Sequence, residues 1–162
     1  MGHGAPDGRG SVEVMAVLPD VLVLIGRLFF GMLLVVSGWE KMADYAPWRE
    51  LVTKMDLFPI DWVGPLSAAL PGIEVVVGLA LLLGFWTREA AVASGFLFVL
   101  FAAVMAVLLW KGTVETCGCF GADDAVTVSS GHLAANVIGA AVLFALAYAA
   151  PGFLAVDRLL GR

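Results

Sequence analysis

The chain holds two cysteines, Cys117 and Cys119, one glycine apart in the run ETCGCFGADD (Glu115 to Asp124). Two thiols are too few for a four-ligand structural zinc site or a cysteine-held iron–sulfur cluster. Redox exchange or soft-metal binding remains. In a Cys-Gly-Cys unit the α-carbons can come within disulfide reach, because glycine accepts backbone angles closed to other residues. The ring so formed is small and strained. Strain raises the reduction potential, so such a bond suits exchange better than structural stapling. The bland alternative is a pair of reduced, inert thiols, which an oxidising compartment disfavours.

Charges inside apolar runs form the second group. Arg27 sits roughly 12 Å into the first run at 1.5 Å per residue, and Gly31, Leu34, Gly38 and Lys41 follow it on one helical face. This face is predicted to look inward. Glu74 enters from the opposite side in the second run, with Gly78 one turn on. In a core of about 30 Å, antiparallel neighbours would leave Arg27 and Glu74 some 6 Å apart in depth, within reach of an arginine. The buried ion pair expected there has two readings. One is a clamp that fixes helix register. The other is a polar pocket for a quinone head group or another small polar molecule, formed by Arg27, Lys41 and Glu74, with Glu40 beside Lys41 at its mouth. His132 opens the last apolar run, and Asn136 follows one turn later. Either His132 is an interfacial residue just past a Ser129/Ser130 cap, or it shuttles a proton to and from a thiol.

The elements that must position these groups are membrane spans. With 61% hydrophobic residues in 162 and a mean hydropathy of +0.97, the chain cannot cover a soluble globule with polar surface. The fold class expected is all-α, a four-transmembrane-helix bundle with spans near Val21–Trp39, Val63–Trp86, Glu89–Trp110 and His132–Ala150. Pro71 falls inside the second span, which is expected to run through it with a kink. Trp39, Trp62, Trp86 and Trp110 fall at predicted span ends, where an indole prefers the membrane interface. Between the first two spans, Trp48, Leu51, Val52 and Met55 share one face of an amphipathic loop helix. Residues 1–19 read as a disordered tail, 20–152 as the membrane domain and 153–162 as a short C-terminal tail. The first apolar run reads as an uncleaved span rather than a signal peptide.

A net charge of −5 excludes nucleic acid as a partner, since no cluster of Lys and Arg exists to neutralise phosphates. The Lys and Arg residues flanking the spans divide evenly between the two sides. The acidic residues of the long loop and of the cysteine loop favour both termini in the cytoplasm of a bacterial inner membrane and the cysteine loop outside it. No resident metal site is expected, and no His-rich or Met-rich track crosses the spans.

The runs GRLFFGMLLVVSGWEKM (Gly26 to Met42) and PGIEVVVGLALLLGFWTREAA (Pro71 to Ala91) resemble the DoxX-like membrane family, with its Arg and Ser-Gly-x-x-Lys in the first span and Glu-x-x-x-Gly in the second. CGCFG (Cys117 to Gly121), with Asn136 downstream, resembles the methylamine-utilisation MauE branch. The resemblance covers about Val21 to Ala150. It implies a four-helix membrane protein of thiol redox or sulfur chemistry, tied to maturation of a disulfide-rich periplasmic dehydrogenase subunit. The layout is also similar to quinone-linked disulfide-forming enzymes of the bacterial envelope and of vitamin K recycling. It departs from them in having Cys-x-Cys rather than Cys-x-x-Cys and in lacking a second cysteine pair. The expectation is a quinone-linked thiol oxidoreductase in which Cys117 and Cys119 exchange with a thioredoxin-like or disulfide-containing periplasmic protein. Two other classes stay open: a membrane module that handles soft metal or sulfur species with the same thiolates, and a non-catalytic anchor for a redox partner.

Overall fold

The computed structural model describes residues 9–112 and 129–149, with side chains from residue 20 onward. Its elements are α1 (Arg9–Ala43), α2 (Tyr45–Lys54), α3 (Ile60–Leu83), α4 (Thr87–Lys111) and α5 (Ser130–Ala149). Four stretches are long and apolar enough to cross a bilayer: Asp20–Ala43, Ile60–Leu83, Thr87–Lys111 and Ser130–Ala149. The protein is therefore an all-α, four-span integral membrane bundle. The predicted spans differ from these by a few residues at their ends. Where a disordered tail over 1–19 is expected, the backbone of residues 9–19 is helical and continuous with α1, while residues 1–8 and the tail at 153–162 lie outside the described residues.

Between 28 and 39% of the most apolar stretch of each span is buried inside the bundle. The outward faces carry Leu22, Ile25, Met32, Ile73, Val76 and Phe96, a surface far too apolar for water and suited to lipid chains. Four of the five tryptophans lie exposed at span ends, Trp39, Trp62, Trp86 and Trp110, whereas Trp48 is buried. That division follows the indole's character: an apolar body with one N–H donor settles at an interface unless a partner takes the donor inside.

The helices form two tightly packed antiparallel pairs, α1 with α3 and α4 with α5, joined to each other by lighter contacts. Glycine makes the α1/α3 approach possible. A Cβ on Gly78 would stand 2.8 Å from the Gly31 carbonyl oxygen, and one on Gly38 would stand 2.7 Å from the Pro71 carbonyl oxygen. Small residues at such crossings let backbones touch where no hydrophobic effect drives helices together. The predicted inward face of α1 is buried throughout, at Arg27, Gly31, Leu34, Gly38 and Lys41.

At one end of the bundle, α3 turns into α4 through Gly84, Phe85 and Trp86. Gly84 takes a left-handed conformation (φ 67°), and the Phe85 N–H reaches back to the Ala80 carbonyl at 2.9 Å, closing the helix as a C-terminal glycine cap does. The opposite end, called here the α2 end, gathers the C-terminus of α1, α2, the start of α3, the end of α4 and the start of α5. The α2 helix lays Trp48, Leu51 and Val52, with Met55 just beyond it, onto Val63 and Leu108, the face predicted from sequence. Its outer side carries a Glu50–Lys54 pair at 2.9 Å, and that lysine holds the Glu50 carboxyl below its ordinary range.

The second span passes unbroken through Pro71. Proline lacks the N–H that would bond the carbonyl four residues earlier, that of Ser67. Trp48 fills the gap, its indole Nε1 donating to the Ser67 oxygen at 2.9 Å. The only buried tryptophan among the described residues thus satisfies the acceptor that a proline sets loose, and the same bond fastens α2 to α3.

Two predictions follow from these contacts. Gly78→Ala should lower the thermal unfolding midpoint of the purified protein by the equivalent of about 1–3 kcal/mol, the range for overpacking. Gly72→Ala, where an added Cβ meets nothing within 4 Å, should leave it unchanged or raise it. Trp48→Phe should cost about 1–3 kcal/mol for the stranded carbonyl, and the same change in a Pro71→Ala background should cost markedly less in the same assay.

Candidate functional site

The α2 end holds a buried polar cluster. Lys41 lies in the last turn of α1, Ser37 lies one turn before it on the same face, and Glu74 projects from α3. Lys41 Nζ donates to Glu74 Oε1 and Oε2 and to Ser37 Oγ, each at 2.8 Å, and Ser37 Oγ donates to Glu74 Oε2 at 2.9 Å. Lys41 is 2% exposed and Glu74 not at all. The three N–H groups of the ammonium thus meet three acceptors. The Trp48 and Phe101 rings stand 5.2 and 5.1 Å from Nζ, close enough for their electron-rich faces to add to its stabilisation.

This arrangement corrects the expected partner of Glu74. The predicted Arg27–Glu74 pair assumes equal depth, but Gly31 packs on Gly78 and Gly38 on Pro71, a register that sets Glu74 opposite Ser37 and Lys41. Arg27 lies about 21 Å from Lys41 along α1 at 1.5 Å per residue. There its Nε donates to the Leu81 carbonyl at 3.1 Å and its Nη2 to the Leu82 carbonyl at 3.3 Å. The last carbonyls of a helix lack intrahelical donors and carry the negative end of its dipole. A buried guanidinium is well matched to them, so Arg27 caps α3.

Beside the Lys41 cluster lies a cavity of about 420 Å³ between the two helix pairs, within the size range of small-molecule sites. Its walls are almost wholly apolar. Phe30 and Phe98 meet edge to face at 5.5 Å, and Gly139 packs against both rings, giving the cavity an aromatic floor. Among the described residues, its polar lining comes from Ser37, Lys41, His132 and Asn136. Of the residues predicted to form a ligand pocket, Lys41 lines this cavity, while Glu74 stands behind Lys41 and Arg27 stands at the far end of the bundle.

His132 is positioned by the start of α5. Ser129 caps the helix as expected, its Oγ 3.4 Å from the His132 backbone N–H and 2.8 Å from His132 Nδ1. Asn136, one turn on, donates from Nδ2 to the His132 carbonyl at 2.9 Å. Their spacing predicts that His132 and Asn136 share one face, but not that this face lines the same cavity as Lys41. Nothing in α5 alone reveals which helix it faces. Cys117 and Cys119 lie outside the described residues. The ends of the segment that carries them are described: α4 finishes at Lys111, whose Nζ donates to the Asp56 carbonyl at 2.8 Å, and α5 begins at Ser130. Both ends stand at the α2 end, as the cavity's polar side does.

The family model described as Methylamine utilisation protein MauE matches residues 19–151. The chain belongs to the MauE family. Among curated proteins it is similar to the Methylamine utilization protein MauE of Paracoccus denitrificans, with 27% identity over 95 residues, 58% of this chain. That alignment spans 51% of the relative, so the chain covers about half the length of this MauE protein. No solved structure matches. The MauE match spans all four membrane helices, including Lys41, Glu74, His132 and the cysteine pair.

Removing one member of the buried ion pair strands the other. Lys41→Met should destabilise the protein by about 3–5 kcal/mol, the cost of an uncompensated buried charge, seen as a lower unfolding midpoint and poorer accumulation in membranes. Lys41→Met with Glu74→Leu should recover most of that loss in the same measurements.

Proposed function

We propose that this MauE-family membrane protein is a thiol–disulfide redox protein that oxidises a periplasmic partner and passes the electrons to a quinone. The observation that carries the reading is the cavity. An apolar chamber of about 420 Å³ with a few polar groups lies at the end of the bundle where the Cys117–Cys119 segment leaves α4 and rejoins α5. Its size and aromatic walls suit a quinone ring.

In the proposed cycle, a thiolate of the partner attacks the Cys117–Cys119 disulfide, forming a mixed disulfide and freeing one of the two cysteines. The partner's second thiol resolves it. The partner leaves with a new disulfide, and Cys117 and Cys119 leave as two thiols. Two electrons and two protons then pass from this dithiol to the quinone, which becomes quinol as the Cys117–Cys119 bond re-forms. His132, on the cavity wall, is the titratable group suited to carry a proton between thiol and acceptor. By the name of its relative, the pathway served is methylamine utilisation, with a thioredoxin-like protein or a disulfide-rich dehydrogenase subunit as the partner. On this reading the membrane is the bacterial inner membrane, with the termini cytoplasmic and the cysteine segment outside.

Thiol alkylation on membranes, read as a gel shift, tests the reading. Added quinone should abolish labelling of both cysteines in the wild type, whereas Cys117→Ser should retain its single alkylatable thiol with or without quinone. Wild-type thiols that stay reduced with quinone would overturn the proposal, and protection by Cu(I) or Hg(II) instead would transfer the site to soft-metal handling.

A further inference from the structure

We infer that the cavity admits its ligand sideways from the bilayer, between α1 and α5, and holds a ring head group against His132 and Asn136 while a hydrocarbon tail lies in the gap between those helices. The inference rests on the redox reading above only for calling the head group a quinone.

The polar end of the cavity has an uncommitted hydrogen-bonding group, and it is not the lysine. The Lys41 ammonium already meets three acceptors. At His132, Ser129 Oγ accepts from the backbone N–H at 3.4 Å and bonds Nδ1 at 2.8 Å, which occupies that ring nitrogen. Nε2 remains, a donor or an acceptor according to the tautomer, and the described residues supply it no partner. Asn136 is oriented by its bond to the His132 carbonyl, leaving its amide oxygen for a second contact. An imidazole nitrogen and an amide oxygen side by side on an otherwise apolar wall match a head group that alternates between carbonyl and hydroxyl, as a quinone does on becoming a quinol.

The aperture is read from residues that face two ways. Phe29 of α1 and Ile138 of α5 both line the cavity, and at 59% and 63% they are the most exposed of its large apolar lining residues, against 39% at Leu100 and 36% at Phe58. A side chain that borders an interior space and the exterior at once marks an opening. Deeper in the bundle the same two helices are in contact, where a Cβ on Gly26 would lie 2.7 Å from Leu146. Across the cavity, buried Trp48 and Val52 of α2 cover the other side. Phe29 lies about 14 Å from the start of its span at 1.5 Å per residue, so the opening faces lipid rather than water. From Phe29 to Lys41 the cavity follows α1 for about 18 Å, longer than one ring can fill. A water-soluble acceptor would have no route to this opening and no use for its apolar walls, whereas a tailed molecule has both.

The test uses the full-length protein in phosphatidylcholine nanodiscs and a decyl-tailed benzoquinone with a diazirine at the tail end. Irradiation should label peptides of α1 or α5. His132→Leu and Ala135→Trp, the latter placing bulk on the cavity-facing rim of α5, should each reduce labelling at least tenfold. Ala134→Trp, exposed on the same helix but off the cavity, should leave it unchanged and so controls for misfolding. Labelling confined to α3 or α4, or equal loss in Ala134→Trp and Ala135→Trp, would overturn the inference. Thiol alkylation in the same samples separates the two proposals. Labelled α1 or α5 with thiols indifferent to quinone would sink the redox reading and leave the portal standing. Thiol oxidation driven equally by a tailless benzoquinone, without labelling of α1 or α5, would do the reverse.

Discussion

A lysine and a glutamate withdrawn from water fix how α1 meets α3. Neither charge is tolerable alone at that depth. Together with Ser37 they satisfy one another, and they can do so only if the two helices lie at one depth and one rotation. The glycines make that approach feasible: Gly31 against Gly78 and Gly38 against the Pro71 carbonyl bring the backbones close enough for Lys41 to reach Glu74. Packing and electrostatics therefore specify the same register independently, which is how a sequence excludes alternatives in a solvent that offers little hydrophobic discrimination.

The cavity is a by-product of that register. With α1 committed to α3 and α4 to α5, the space between the pairs is filled by Phe30, Phe98, Leu143 and their neighbours at one end and left open at the other. There α2 roofs it, held through Trp48 to a carbonyl that Pro71 cannot satisfy. A proline that would weaken a lone helix thus supplies the attachment point for the element that closes the chamber, and Lys41 sits where α1, α2 and α3 converge.

Much of this was legible in the sequence, for physical reasons. Hydropathy and span length showed the four crossings, because a bilayer imposes both. The face of α2 carrying Trp48, Leu51, Val52 and Met55 followed from helical spacing, as did the inward stripe of α1 from Arg27 to Lys41. The partner of Glu74 was missed because depth estimated from span ends carries an error of several residues, and two cations, Arg27 and Lys41, share one face. Only the glycine contacts resolve that choice. The link between Trp48 and Ser67 had a readable signal, since the residue four before an internal proline always carries an unclaimed carbonyl. No such signal existed for the shared cavity of His132 and Lys41, which depends on how one helix pair rotates against the other.

The uneven packing has a mechanical consequence. The short Gly84–Trp86 corner ties the two pairs together at one end, and at the opposite tips they meet through the roof helix, which rests on Leu108 of α4, and through the Lys111–Asp56 bond. A guest that swelled the chamber would load those tip contacts first, with α2 held to the α1/α3 pair by its indole bond.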